Sequence, residues 1–250
     1  MLEILKHSGP ARLGIFHMEN KEIPTPNIMP EELLREESFF CFGYDIPKEI
    51  AEFSVKLGLK SNIPVIYGSK YLDLRLKCAE ALKDKPLLRI ANGEKLLENP
   101  KFLVKLIEKL KEMISPNTAL YFPFASPHQF YILAYLGIDL FDTTKGLILA
   151  QRGFIQTTRG IHDLKNLKEL PCSCSICSKY SVEDLLKNKK LIAEHNTAIA
   201  LQVLKEIRNA IRNNELRELV EEKASSDVSL MVMLRSISYN YAEKYTLVMP

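Results

Sequence analysis

The 250-residue chain has no stretch of about 18 consecutive apolar residues, so no membrane-spanning helix and no membrane partner are expected. Its first residues, Met1-Leu-Glu-Ile-Leu-Lys-His, lack the basic-then-apolar layout of a secretory leader. Charge of one sign is scarce too, with a formal net charge of +3. A field that weak does not gather nucleic acid by itself, and any RNA contact has to come from a local patch. Internal repeats and low-complexity tracts are absent, which excludes a solenoid. What remains, 46% hydrophobic and 26% charged, is the composition of a soluble globular protein. The length allows either one α/β barrel or two modest domains.

Cysteine is sparse as well, but its distribution is far from even. Three of the five fall within Cys172-Ser-Cys174-Ser-Ile-Cys177, and His195 follows after 17 intervening residues. Three thiolates and an imidazole form the tetrahedral donor set that Zn²⁺ prefers. The tight C-x-C-x2-C spacing lets one turn aim three sulfurs at a common centre. His195 lies in a segment of helical periodicity that can bring the fourth ligand in from the side. With four protein ligands and no open position, such a site is structural, and chemistry has to be sought elsewhere. Reduced thiols at a metal knuckle suit a reducing, cytoplasmic setting. Cys41 and Cys78 lie in apolar surroundings and read as small buried hydrophobes.

The first 30 residues read as extended, with alternation around Arg12–His17 and three prolines in Ile23–Pro30. Short apolar runs then alternate with helical patterns. Strands are predicted at 39–43, 64–68, 87–90, 120–123 and 138–142, and helices at 47–57, 71–82, 94–113 and 127–136. Such alternation implies parallel βαβ units. Counting Thr25–Met29 as a strand gives about six units, short of a complete barrel. Residues 146–158 read as a small hairpin and 161–170 as a linker. Ser181 followed by Asp184 resembles a capping box, and 191–213 reads as one long amphipathic helix, with further helices at 215–224 and 230–236. The expected fold is a shortened (β/α) barrel over residues 1–160, followed by a helical zinc-binding subdomain over 161–250.

The segment Ala119–Phe130, then Gly137-Ile-Asp-Leu-Phe-Asp-Thr-Thr144, Arg152-Gly, the Leu-Pro-Cys-Ser-Cys knuckle and the His-Asn helix occur in that order. This succession resembles the tRNA-guanine transglycosylase superfamily. Glu206–Arg212 and Leu216–Ala224 are similar to its archaeal branch in particular. The resemblance is specific over roughly residues 119–236. It implies a base-exchanging barrel in which Asp142 is the nucleophile toward the ribose of tRNA, with tRNA as partner. The family's Asp-Ser-Gly-Gly-Phe-Gln motif and its Gly-Gly pair are missing here, and so is its C-terminal RNA-binding domain. That pattern of losses looks like the N-terminal module of archaeosine synthase, which acts on a deazaguanine already installed in the D-arm.

Three functions are therefore expected in turn. The chain is a tRNA-modification module of archaeosine biosynthesis, an active transglycosylase using Asp142, or a non-catalytic zinc-bearing subunit. Each implies an association, with a separate C-terminal or RNA-binding subunit or with a transglycosylase partner. Asp142 is either that nucleophile or a carboxylate tying down the loop after its strand. Asp139, on the opposite face, reads as a cap or ion-pair residue. Lys145, Arg152 and Arg159, with Lys179, Lys187, Lys189 and Lys190, are candidate phosphate contacts. Tyr121, Phe122, Phe124 and Phe130 are candidate stacking groups or core residues. His128 is expected at a solvent-facing helix start, and His7, His17 and His162 at the surface.

Overall fold

The computed structural model describes every residue except 19–20, 31–41, 61–63 and 245–250. The predicted strand at 39–43 and Cys41 therefore fall largely or wholly outside the described residues. The chain opens with an antiparallel meander, β1 (Leu2–Ser8), β2 (Ala11–Met18) and β3 (Lys21–Thr25). A five-stranded parallel sheet follows, built from β4 (Asn27–Ile28), β5 (Val65–Ile66), β6 (Leu87–Ile90), β7 (Ala119–Tyr121) and β8 (Leu140–Phe141). Its order is β4-β8-β7-β6-β5, so the first parallel strand lies beside the last. An open doubly wound sheet does not require that neighbour, whereas a ring does. The sheet is an arc of a barrel.

Period-two alternation sorts the strand residues onto two faces. Leu87, Ala119, Tyr121 and Leu140 join Met29 on the concave face, where Leu2, Phe16 and Ile23 of the meander pack against them. Leu88, Ile90, Leu120, Phe122 and Phe141 belong to the other, larger core beneath the helices. A buried ion pair fixes the meander to the arc. The Arg12 guanidinium reaches Asp139 through Nε at 2.7 Å and Nη2 at 2.6 Å, and Nη2 also donates to the Thr118 carbonyl at 2.6 Å. Asp139 accepts the Leu120 N–H as well, at 2.7 Å. The ion-pair role read for Asp139 holds, in a fully buried setting.

The helices between strands are α1 (Lys48–Gly58), α2 (Leu72–Leu82), α3 (Gly93–Leu97), α4 (Pro100–Met113) and α5 (Pro127–Tyr135). The single helix predicted over 94–113 is two. Asn99 accepts from Phe102 N–H and Pro100 stands in the first turn, a start signal that breaks the run. From there Leu103, Leu106, Ile107 and Leu110 bury one face, each worth roughly 1.5–3 kcal/mol. At α5, predicted over 127–136, the start is a capping box of Ser126 with Gln129, and Pro127 stands in the first turn.

The hairpin predicted over 146–158 is a correction. Residues Thr144–Arg152 form a helix, α6, which ends at Gly153 with φ 86°. The hairpin comes later, from β9 (Phe154–Gln156), inside the predicted hairpin, and β10 (Ile161–Asp163), in the stretch read as a linker. Gly146 suggested a turn, but it is a packing glycine. A Cβ there would lie 2.6 Å from Gln156 Oε1 and 3.1 Å from Asn196 Cβ.

The C-terminal part is helical: α7 (Val182–Lys187), the long α8 (Lys189–Asn213), α9 (Leu216–Ala224), α10 (Val228–Ser236) and α11 (Tyr239–Lys244). The Ser181–Asp184 capping box is present, with Asp in the position usually held by Glu. Ile199, Val203, Leu204, Ile207 and Ile211 of α8 enter the same core as the outer face of the barrel strands.

Candidate metal centre and barrel mouth

Residues 172–180 fold into a tight turn, with Ser178 N–H donating to the Cys174 carbonyl at 3.0 Å. This gathers the three sulfurs, and α8 brings His195 to them. Its Nδ1 lies 3.8, 3.4 and 3.2 Å from Sγ of Cys172, Cys174 and Cys177. All four ligand atoms fall within 4.8 Å of one another. Metal–sulfur bonds of about 2.3 Å and metal–nitrogen bonds of about 2.0 Å at tetrahedral angles place such atoms roughly 3.5–3.8 Å apart. The group fits a metal ion.

The imidazole is pre-oriented for that task. His195 is fully buried, and its Nε2 donates to the Gln156 carbonyl at 2.9 Å. That bond leaves the Nδ1 lone pair facing the sulfurs, the outer support typical of metal-bound histidine. Burial pushes the imidazole below its ordinary pKa, opposed by the Gln156 carbonyl, so the ring is neutral near pH 7. Burial and the facing sulfurs of Cys172 and Cys174 push the Cys177 thiol up. A bound cation reverses that tendency, because it stabilises thiolates at close quarters.

Sequence reading missed two residues here. Asn196 accepts Gln156 N–H at 2.7 Å and donates to the Gly146 carbonyl at 2.8 Å, pinning α6 and β9 to α8. Gln156 also extends its Nε2 to Ser126 Oγ at 3.0 Å. A path of hydrogen bonds thus runs from the metal group through His195 and Gln156 to the cap of α5. The available signal was an asparagine beside His195 on the buried face of a long helix that otherwise carries Ile192 and Ile199.

At the other end of that path lie the C-terminal ends of the barrel strands, where barrel chemistry resides. Asp142 follows β8 and is 2% exposed. Its Oδ2 accepts from Tyr121 Oη at 2.8 Å and from Phe124 N–H at 3.0 Å, while Oδ1 accepts from Thr144 N–H at 2.8 Å. Of the aromatics near this mouth, Tyr121, Phe122 and Phe130 are core, and Phe124 is half-buried. His128 is buried rather than solvent-facing, and its helix α5 packs against α8, α9, α10 and β2. That burial lowers its pKa to about 4, with Asp227 opposing and His162 and Lys145 assisting.

The basic candidates separate. Lys145 is paired with Glu94 across the starts of α6 and α3. Arg152 and Arg159 are exposed near the hairpin, as are Lys179, Lys187 and Lys190 around the knuckle, while Lys189 is half-buried. Cys78 is fully buried, as its surroundings implied. Among the described residues, no helix is long and apolar enough to cross a membrane.

Residues 50–228 match the family described as queuine tRNA-ribosyltransferase. The chain belongs to this family. Relatives include the tRNA-guanine(15) transglycosylase of Methanococcus maripaludis strain C5, 33% identical over 216 residues, covering 80% of this chain and 33% of that protein. The protein of the same name from Methanobrevibacter smithii is 31% identical over 245 residues, covering 90% of this chain and 36% of its own length. The chain thus spans about a third of the relatives it matches. The family's signal begins well before residue 119, inside the arc whose strand motifs are less telling. Membership also accounts for the barrel architecture.

Proposed function

We propose that this chain is a tRNA-handling module of 7-deazaguanine modification, similar in layout to the transglycosylase-like half of archaeosine synthase. The observation that carries the reading is the state of Asp142. It stands at the end of the last barrel strand, yet both of its oxygens are committed to Tyr121 and to backbone N–H groups. Three of its roughly four acceptor positions are filled from inside the protein, and burial keeps the remaining one from an incoming ribose. Asp142 here holds the loops after β7 and β8 instead. In this reading Zn²⁺ is the metal of Cys172, Cys174, Cys177 and His195, and its chemistry is structural clamping. Those residues, with Gln156 and Asn196, set the hairpin against the barrel. Arg152 and Arg159 on that hairpin side, with Lys145 at the mouth, supply contacts to tRNA phosphates, adding salt-dependent affinity. A separate subunit supplies the remaining chemistry, and the setting is the cytoplasm.

The test uses tRNA transcript in two forms. With unmodified transcript and labelled guanine, the chain is expected to bind RNA without exchange. With nitrile-bearing tRNA, conversion to the amidine is expected once the partner subunit and an amine donor such as an ammonium salt or glutamine are added, read by nucleoside mass spectrometry. Labelled guanine incorporated by the chain alone, and abolished by Asp142→Asn, restores base exchange as its activity. Tight binding to a transglycosylase subunit with no RNA affinity assigns it instead as an accessory subunit.

A further inference from the structure

The donors around Asp142 are not equivalent. Two are backbone N–H groups of the loops it ties down, and the third is the Tyr121 hydroxyl, contributed by the neighbouring strand. A carboxylate offers roughly four acceptor positions, and three are filled from inside the protein. The Tyr121 ring is itself held. The parallel register of β6 and β7 sets Arg89 beside Tyr121, and the guanidinium lies 5.2 Å from the ring centroid, a cation–π contact. Tyr121 is 1% exposed and Arg89 3%. These two side chains fill the concave face next to the carboxylate. Phe124 reaches Asp142 in a left-handed conformation, φ 60°, disfavoured for a residue with a Cβ. Strained backbone of this kind persists where surrounding structure over-determines it.

We propose that Tyr121 is a positioning residue that locks Asp142, keeping the carboxylate and the face beside it closed to a purine nucleoside. The proposal deepens the tRNA-handling reading and takes its functional meaning from it, naming the residue that withholds the family carboxylate from chemistry. Tyr121 acts through its hydroxyl, while its ring fills the space.

Carboxyl footprinting tests this directly. The full chain is treated with a water-soluble carbodiimide and glycine ethyl ester, and labelled sites are quantified by mass spectrometry. Asp73, whose side chain is 61% exposed, serves as the internal reference. In the wild type, Asp142 is expected to label far more slowly than Asp73. Tyr121→Phe keeps the ring and its contact with Arg89, and is expected to raise Asp142 labelling roughly tenfold, the weight of one hydrogen bond, at unchanged Asp73 labelling. Equal Asp142 labelling in the two proteins overturns the lock. So does wild-type labelling of Asp142 at the rate of Asp73, a result that needs no variant to fold. A gel shift with tRNA transcript is run in parallel. RNA binding without the Tyr121 effect refutes the lock and leaves the RNA reading intact, whereas the Tyr121 effect without RNA binding does the reverse.

Discussion

His195 and Asp142 are both buried, both hydrogen-bonded, and stand at the two ends of one connected region, yet their loose ends differ. His195 spends Nε2 on the Gln156 carbonyl and leaves Nδ1 directed at three sulfurs. Asp142 spends both oxygens on Tyr121, Phe124 and Thr144. One site is wired so that a ligand atom points at a shared centre. The other is wired so that a reactive group points at its own chain. A carboxylate at the end of a barrel strand therefore says little about use until its hydrogen bonds are counted. Burial alone does not separate the two cases.

Four experiments press on that contrast. The largest effect is expected at the knuckle: Cys174→Ser should lose bound zinc, measured by elemental mass spectrometry, and lower the melting temperature by ~10 °C or more, because structural zinc binding is folding free energy. Unchanged metal content would remove the distinction between the sites. At the mouth, the lever is proton linkage through His128. Its folded pKa is depressed to about 4 by burial. The unfolded chain, titrating near 6.5, binds the proton more readily, so stability is lost as pH falls from about 6.5 to 4 and is fully present above that window. The loss should reach about 2 kcal/mol at pH 5 and about 3 kcal/mol below pH 4. It should disappear in His128→Gln, when urea midpoints of the two proteins are compared at pH 7 and pH 5. Third, Asp142→Asn turns an acceptor into a donor opposite at least one N–H or O–H. It should cost about 1–3 kcal/mol of unfolding free energy with zinc content unaltered. A variant as stable as wild type would show that the carboxylate is not structural. Smallest is Ser181→Ala, which removes the cap of the helix after the knuckle and should cost about 1 kcal/mol with metal retained.

The knuckle was legible because its information is local. Three cysteines at fixed spacing and one histidine on a periodic helix state a ligand set without any tertiary knowledge. The parallel strands were legible because buried runs such as Leu87–Ile90 stand between helical patterns, although their ends moved by one or two residues. Residues 146–152, read as part of a hairpin, belong to a helix. Glycine signals backbone freedom, and at Gly146 it serves close approach to Gln156 and Asn196 instead. His128 was expected at the surface because first-turn residues commonly are, whereas tertiary packing around α5 buries it. Gln156 and Asn196 follow no pattern in sequence, since their partners are 30 to 50 positions away. The hold on Asp142 was equally hidden. Its key donor, Tyr121, looks in sequence like any strand aromatic.

The adjacency of β4 and β8 carries a consequence for how the chain emerges from the ribosome. Residues 27–28 gain their sheet neighbour, among the described strands, only after residue 141 has been synthesised. At usual elongation speeds that delay is on the order of ten seconds. The β1–β3 meander, whose pairings are short-range, can form at once and wait with Leu2, Phe16 and Ile23 ready to receive the later strands. Birth order and assembly order therefore diverge, and the meander acts as the template on which the arc is laid down.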